Sequence, residues 1–171
     1  MRVYPSFVVC VCFCVLMLSG AVQPASAGSP EKNVSGSLTV DGKKVALVYA
    51  YVDEVQPDEP IVVLSDKPLP ADAIPFVPEK LVKEQKIHAI AFSISRRDKK
   101  LTNTYGMLKY PGNASGVGLG RVEEGGMSLG IKKLDDSILE GKIATTKPVK
   151  LSYISYSFDL SFKVGLGKKN R

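Results

Sequence analysis

The stretch "VKLSYISYSFDLSFKV" (149–164) decides the fold. In it Ile154, Tyr156, Phe158, Leu160, Phe162 and Val164 alternate with Ser155, Ser157, Asp159, Ser161 and Lys163. Successive side chains of a strand point to opposite faces, so a period of two held this long predicts a strand with one buried face and one wet face. A strand of that kind needs partners. The rest of the chain is read as their source.

Working back towards the N-terminus, "SLTVDGKKVALVYAYVDE" (37–54) holds two β-rich runs about Asp41-Gly42. Asp-Gly between such runs predicts a type I′ hairpin, which needs positive φ at both central positions. "QPDEP" (56–60) reads as a turn and "IVVLSD" (61–66) as a short buried strand. "KPLPADAIPF" (67–76) has too many prolines for more than one helical turn. "PEKLVKEQ" (78–85) predicts a short helix with Pro78 at its first position. "KIHAIAFSIS" (86–95) reads as a strand apolar on both faces, and "RRDKK" (96–100) as a hairpin tip leading into "LTNTYGMLKY" (101–110).

Further on, "PGNASG" (111–116) reads as a loop and "VGLGRVE" (117–123) as a strand weakened by glycine. "MSLGIKKL" and "ILEGKIATT" suggest two strands about Asp135-Asp136-Ser137, although Ile131, Leu134, Ile138 and Leu139 also fit a helix. The expectation is a mainly β protein: one antiparallel sandwich or barrel of about eight or nine strands, with a short helix near 78–85. The strand domain is placed at 37–164, after a flexible leader (28–36) and before a polar tail (165–171).

Residues 1–27 read differently. Arg2 precedes an unbroken apolar run (7–18), and Ala25-Ser26-Ala27 ends a stretch of small residues, so cleavage is expected between Ala27 and Gly28. This is the layout of a secretory signal peptide, and the run is too short for the roughly 20 residues of a membrane span. Cys10, Cys12 and Cys14 all lie inside it, so the exported chain would contain no thiol and no disulfide. Alternate cysteines point to different faces of a helix, which makes them poor metal ligands. Without Arg2 the 23 basic residues fall by one against 17 acidic ones, a net charge of +5 that favours anionic partners without naming one.

Motifs for chemistry are few. Gly126-Met127-Ser128-Leu129-Gly130 matches G-x-S-x-G, but that motif needs a strand–turn–helix and a later histidine, and His88, the single histidine, precedes it. Gly116-Val117-Gly118-Leu119-Gly120 lacks the spacing of a dinucleotide loop. Ser29-Pro30-Glu31-Lys32 matches S-x-x-K without its companion motif. The acidic pairs Asp53-Glu54, Asp58-Glu59, Glu123-Glu124 and Asp135-Asp136 have no ligand spacing for a metal, because neighbours on a strand face opposite ways. Asn33 and Asn113 each begin an N-x-S pattern. No catalytic residue, metal or cofactor is expected. Arg96, Arg97, Lys99 and Lys100 form the densest basic cluster and are the candidate contact for an anionic envelope polymer or a lipid surface. No basic–aromatic interleaving supports nucleic-acid binding.

"LTVDGKKVALVYAYV", "VVLSDKPLPADAI" and "LEGKIATTKP" before "YSFDLSF" resemble a group of exported bacterial β-rich proteins. These share an L-T-V-x-G-K hairpin and an L-S/T-D-x-P-L-P segment, and have no assigned activity. The resemblance spans about residues 36–164 and implies export, one β-rich domain and a place in the bacterial envelope, periplasmic or extracellular. The reading from sequence is a non-catalytic binding or interaction module, whose partner is an anionic polymer, a lipid surface or another envelope protein. A small hydrophobic-ligand carrier with a barrel cavity and, less favoured, a hydrolase using Ser128 stand as alternatives.

Overall fold

The computed structural model describes residues 32–54, 56, 58–74, 77, 79–110, 113–118, 126–151 and 154–167. The three cysteines and the expected signal peptide, with Ala25, Ala27 and Gly28, lie outside them. Among the described residues are eleven strands: β1 (Val34–Val40), β2 (Lys43–Val45), β3 (Tyr49–Asp53), β4 (Ile61–Ser65), β5 (Ala89–Ile94), β6 (Leu101–Tyr110), β7 (Asn113–Gly118), β8 (Met127–Leu134), β9 (Ile138–Thr145), β10 (Val149–Leu151) and β11 (Ile154–Gly165). They form two antiparallel sheets. One runs β2-β1-β11-β9-β8, with β10 also on β11, and the other runs β3-β4-β5-β6-β7. Both sheets are open, which makes the fold a sandwich and not a barrel.

The closing run has the predicted faces. From Ile154 to Val164 every even-numbered residue is buried, while Asp159, Ser161 and Lys163 are exposed. Its buried side chains meet Leu38 and Val40 from β1, Leu139 and Ile143 from β9, and Val62, Leu64, Ile90, Phe92 and Ile94 from the other sheet. Phe92 and Phe162 pack edge to face across the gap, 5.2 Å between centroids. Each such side chain contributes about 1.5–3 kcal/mol by leaving water, so this shared layer is the main source of stability.

The opening hairpin also forms as expected. Asp41 and Gly42 take φ of 47° and 78°, and Val40 pairs with Lys43. Asp41 does more: its backbone N–H donates to Ser155 O, and its Oδ1 accepts from the Ser155 N–H, both at 2.8 Å. The run after the turn, however, is two strands. Residues 46–48 carry the chain from one sheet to the other, with Leu47 buried at the corner and the Val48 N–H bonded to Ser65 O. Strands that change sheets at a corner are how sandwiches close, and apolar alternation alone does not mark the break.

Other boundaries move too. β1 starts at Val34, so residues 34–36 of the expected leader belong to the sheet, opposite Phe162, Ser161 and Leu160. Gly165 ends β11 and Leu166 is buried, so the fold likewise extends into the expected polar tail. The expected loop at 111–116 holds the start of β7 instead, where Asn113–Gly118 pair with β6. Short polar residues and glycine pair well enough at an edge, where one neighbour suffices. The remainder of the expected strand 117–123 lies outside the described residues. Segment 126–140 is two strands and not a helix, joined by a turn in which the Asp135 carboxylate accepts from the N–H groups of Ser137 and Ile138. Those bonds, led by the Ser137 N–H and joined by Lys133, hold the Asp135 carboxyl well below the usual carboxylate range.

Helix α1 (Glu79–Gln85) and a 3₁₀ turn (Ala71–Ala73) lie in the long connection from β4 to β5, as the prolines and the helical run predict. This connection covers the outer face of the five-stranded sheet, where Leu69, Val77, Val82 and Ile87 bury Tyr51, Val63, Ala89 and Ala91. That is why β5 is apolar on both faces: all six of its residues are buried. The outer face of the six-stranded sheet has no such cover among the described residues.

Candidate functional site

The four basic residues at the β5–β6 turn do not act alike. The turn is closed by Ser95 N–H to Lys100 O and Lys99 N–H to Ser95 O, both 2.9 Å, with Lys99 in the left-handed region. Arg97, Lys99 and Lys100 are exposed. Arg96 folds back: its Nη2 lies 2.5 Å from Glu54 Oε1, and its backbone N–H donates to Asp58 O. Glu54 Oε2 also accepts from the Gly167 N–H at 2.6 Å. The loop before β4 brings Asp58 and Glu59 to the same place, where Thr102 donates to Glu59, and Asp98 sits inside the turn, its carboxyl held below the usual range chiefly by Ser95. The tip therefore carries three solvent-facing cations among several carboxylates, not four cations against one.

The motif residues are kept apart. Ser128 is exposed on the edge strand β8, with its hydroxyl 3.5 Å from Ala144 O. Its neighbours Met127 and Leu129 pack on the core, so Ser128 projects from the outer face. His88 precedes β5 in the other sheet, across a core layer about 10 Å thick. There its N–H donates to Asp66 Oδ1 at 2.8 Å and its Nδ1 lies 3.1 Å from Asp66 Oδ2. This pair closes the base of the connection over the five-stranded sheet. The G-x-S-x-G match is thus strand and edge, not strand–turn–helix. Gly116 and Gly118 are likewise in β7, while Gly120 and the Glu123-Glu124 pair lie outside the described residues. Among the described residues no group of three His, Asp or Glu side chains could hold a metal ion.

The uncovered face of the six-stranded sheet is what sequence reading missed. Three rows cross it from strand to strand. In register they are Ser128–Ala144–Asp159–Ser37, then Gly130–Lys142–Ser161–Ser35, then Lys133–Glu140–Lys163. No apolar side chain in these rows exceeds alanine. Lys132 sits at a bulge between Ile131 and Lys133 and reaches Glu140 at 2.6 Å. Lys142 meets Asp159 at 2.8 Å and Lys133 meets Asp135 at 3.0 Å. The Lys132 ammonium, with help from Lys163 and Lys133, holds the Glu140 carboxyl below its usual range, and Glu140 raises Lys132 in return. Between the Lys132–Glu140 pair and Lys142 lies a shallow depression of about 360 Å³, lined also by Gly130, Gly141, Ser161, Phe162 and Ser35, with Asn33 and Lys163. The signal was present as the polar alternation of Glu140 and Lys142 in β9 and of Asp159, Ser161 and Lys163 in β11, but register was needed to see it as rows.

Tyr156, Phe92 and Phe162, the largest fully buried side chains among the described residues, sit in the core between the sheets. No helix among the described residues is long and apolar enough to cross a membrane. No family model, curated protein or solved structure matches this chain.

Proposed function

We propose that the protein is a non-catalytic binding module, exported to the cell envelope or exterior, that holds an anionic partner against the outer face of its six-stranded sheet. The observation that carries this reading is the face itself. It is broad, built of hydroxyls and lysines, and held by a packed core, so its groups keep their spacing without a partner. Lys132, Lys133, Lys142 and Lys163 outnumber Asp135, Glu140 and Asp159 on it. The export part of the reading rests on the N-terminal sequence, and a lysine-bearing face suits the anionic polymers of an envelope.

The β5–β6 tip is the competing contact. Its three exposed cations share their surroundings with Asp58, Glu59 and Asp98, which lowers the field they project. Retention on phosphocellulose at low salt separates the two. Changing Lys132, Lys142 and Lys163 to Ser should release the protein at clearly lower salt, whereas changing Arg97, Lys99 and Lys100 to Ser should shift elution little. The opposite pattern would move the contact to the tip and overturn this reading. Arg96→Ser belongs in neither set: it strands Glu54 and should cost about 1–3 kcal/mol of stability, read by chemical denaturation.

A further inference from the structure

We propose that the depression between the Lys132–Glu140 pair and Lys142 is the binding groove for one chain of an acidic glycan, lying across strands β8, β9, β11 and β1. The proposal rests on the reading of the outer face given above and adds the chemical class of its partner.

Three observations carry it. The floor is missing side-chain bulk where a chain would lie. A Cβ built on Gly130 meets nothing within 4 Å, and past Lys142, the β9 member of the row and part of one wall, the row continues through the small side chains of Ser161 and Ser35. The walls are the second observation. One is the Lys132–Glu140 ion pair at 2.6 Å, and the other is Lys142, which pairs with Asp159 beyond the depression at 2.8 Å. Paired ammonium and carboxylate groups give donors and acceptors side by side, which is what vicinal sugar hydroxyls require. Lys163, next to Glu140 in register, adds positive charge to match a uronic carboxylate.

The third observation is spacing. Neighbouring strands lie about 4.8 Å apart, close to the length of one hexose ring in an extended glycan. A glycan crossing the sheet would therefore set successive rings over successive strands. A lipid surface fits less well, because the outward-facing rows present no apolar side chain larger than alanine to insert. A bare polyanion would use the lysines and make no use of the hydroxyls of the groove.

Polygalacturonate is the probe, compared by calorimetry with its methyl-esterified form, with inorganic polyphosphate and with phosphatidylglycerol vesicles. The protein should bind polygalacturonate at least 10-fold more tightly than each of the others. Gly130→Val, which adds bulk to the floor where a Cβ has open space, should weaken that binding at least 5-fold while the melting temperature and retention on phosphocellulose stay unchanged. If Gly130→Val lowers the melting temperature, Ser161→Val on the same floor takes its place. Equal binding of polyphosphate or vesicles, or full glycan binding by the filled-floor variant, overturns the groove and leaves the anionic-face reading standing. Failure to bind any of the probes or phosphocellulose removes both.

Discussion

One carboxylate decides how much of the basic turn meets solvent. Glu54 takes Arg96 with one oxygen and the Gly167 N–H with the other, tying three separate segments together. Along the chain, Arg96 belongs with Arg97, Lys99 and Lys100. In the fold it belongs with a residue 42 positions away, and no local pattern says so. Tyr156 shows the reverse case, because its inward position follows directly from the alternation around it. Burial pushes its phenol up to about 12 from an ordinary value of 10.0. The folded state thus favours the neutral ring. Its contribution is intact below pH 10 and is lost as pH rises through 12. The shift is worth about 3 kcal/mol at most. Denaturant titrations at pH 9 and 11 should show stability falling with pH, and Tyr156→Phe should flatten that fall. An unchanged slope in the variant would mean other groups drive the alkaline loss.

At the scale of elements, β1 and β11 set the register for everything else. Gly36 has a φ of 110° and sits so close to β11 that an added Cβ would lie 2.0 Å from Asp159 O. Backbone cannot yield there as a flexible side chain could, so Gly36→Ala should separate the pair and lower the melting temperature strongly. A polar stretch with a glycine reads as leader because composition reports solvation, and an outward-facing strand is solvated too. On β11 the alternation alone assigns the faces. Phe158→Asp should unfold the protein, since a buried unpaired carboxylate costs several kcal/mol against a total of about 5–15. Ser157→Asp, on the wet face, should leave the thermal melt nearly unchanged. Equal tolerance would mean the register is wrong. What alternation does not show is interruption: the corner at 46–48 and the break before Ile154 keep the apolar count while changing the sheet or the pairing. Turn chemistry reads more reliably, because Asp41-Gly42 needs only its own φ values.

In the whole molecule, the last long strand pairs with the first, so much of the fold waits for residues as distant as Asp41 and Ser155, 114 positions apart, to meet. Such topologies fold in about milliseconds to seconds, and stopped-flow refolding should find this one there. A chain ended at Leu151 loses the central strand of the six-stranded sheet and should show no cooperative melt. A folded truncated chain would place the stability elsewhere. Class and core are legible in the sequence because they follow from period and turns. The candidate groove is not, because it depends on which rows align across four strands. The same pairing has a practical consequence. Asn33 lies beside Lys163, and Glu54 holds both Gly167 and Arg96 of the β5–β6 turn. The ends of the described strand domain, near Asn33 and Gly167, therefore share one pole with the basic tip. A fluorophore coupled at position 32 or 167 would crowd that pole and mask the tip, whereas one coupled at the Asp41-Gly42 bend, on the far pole, would leave it open.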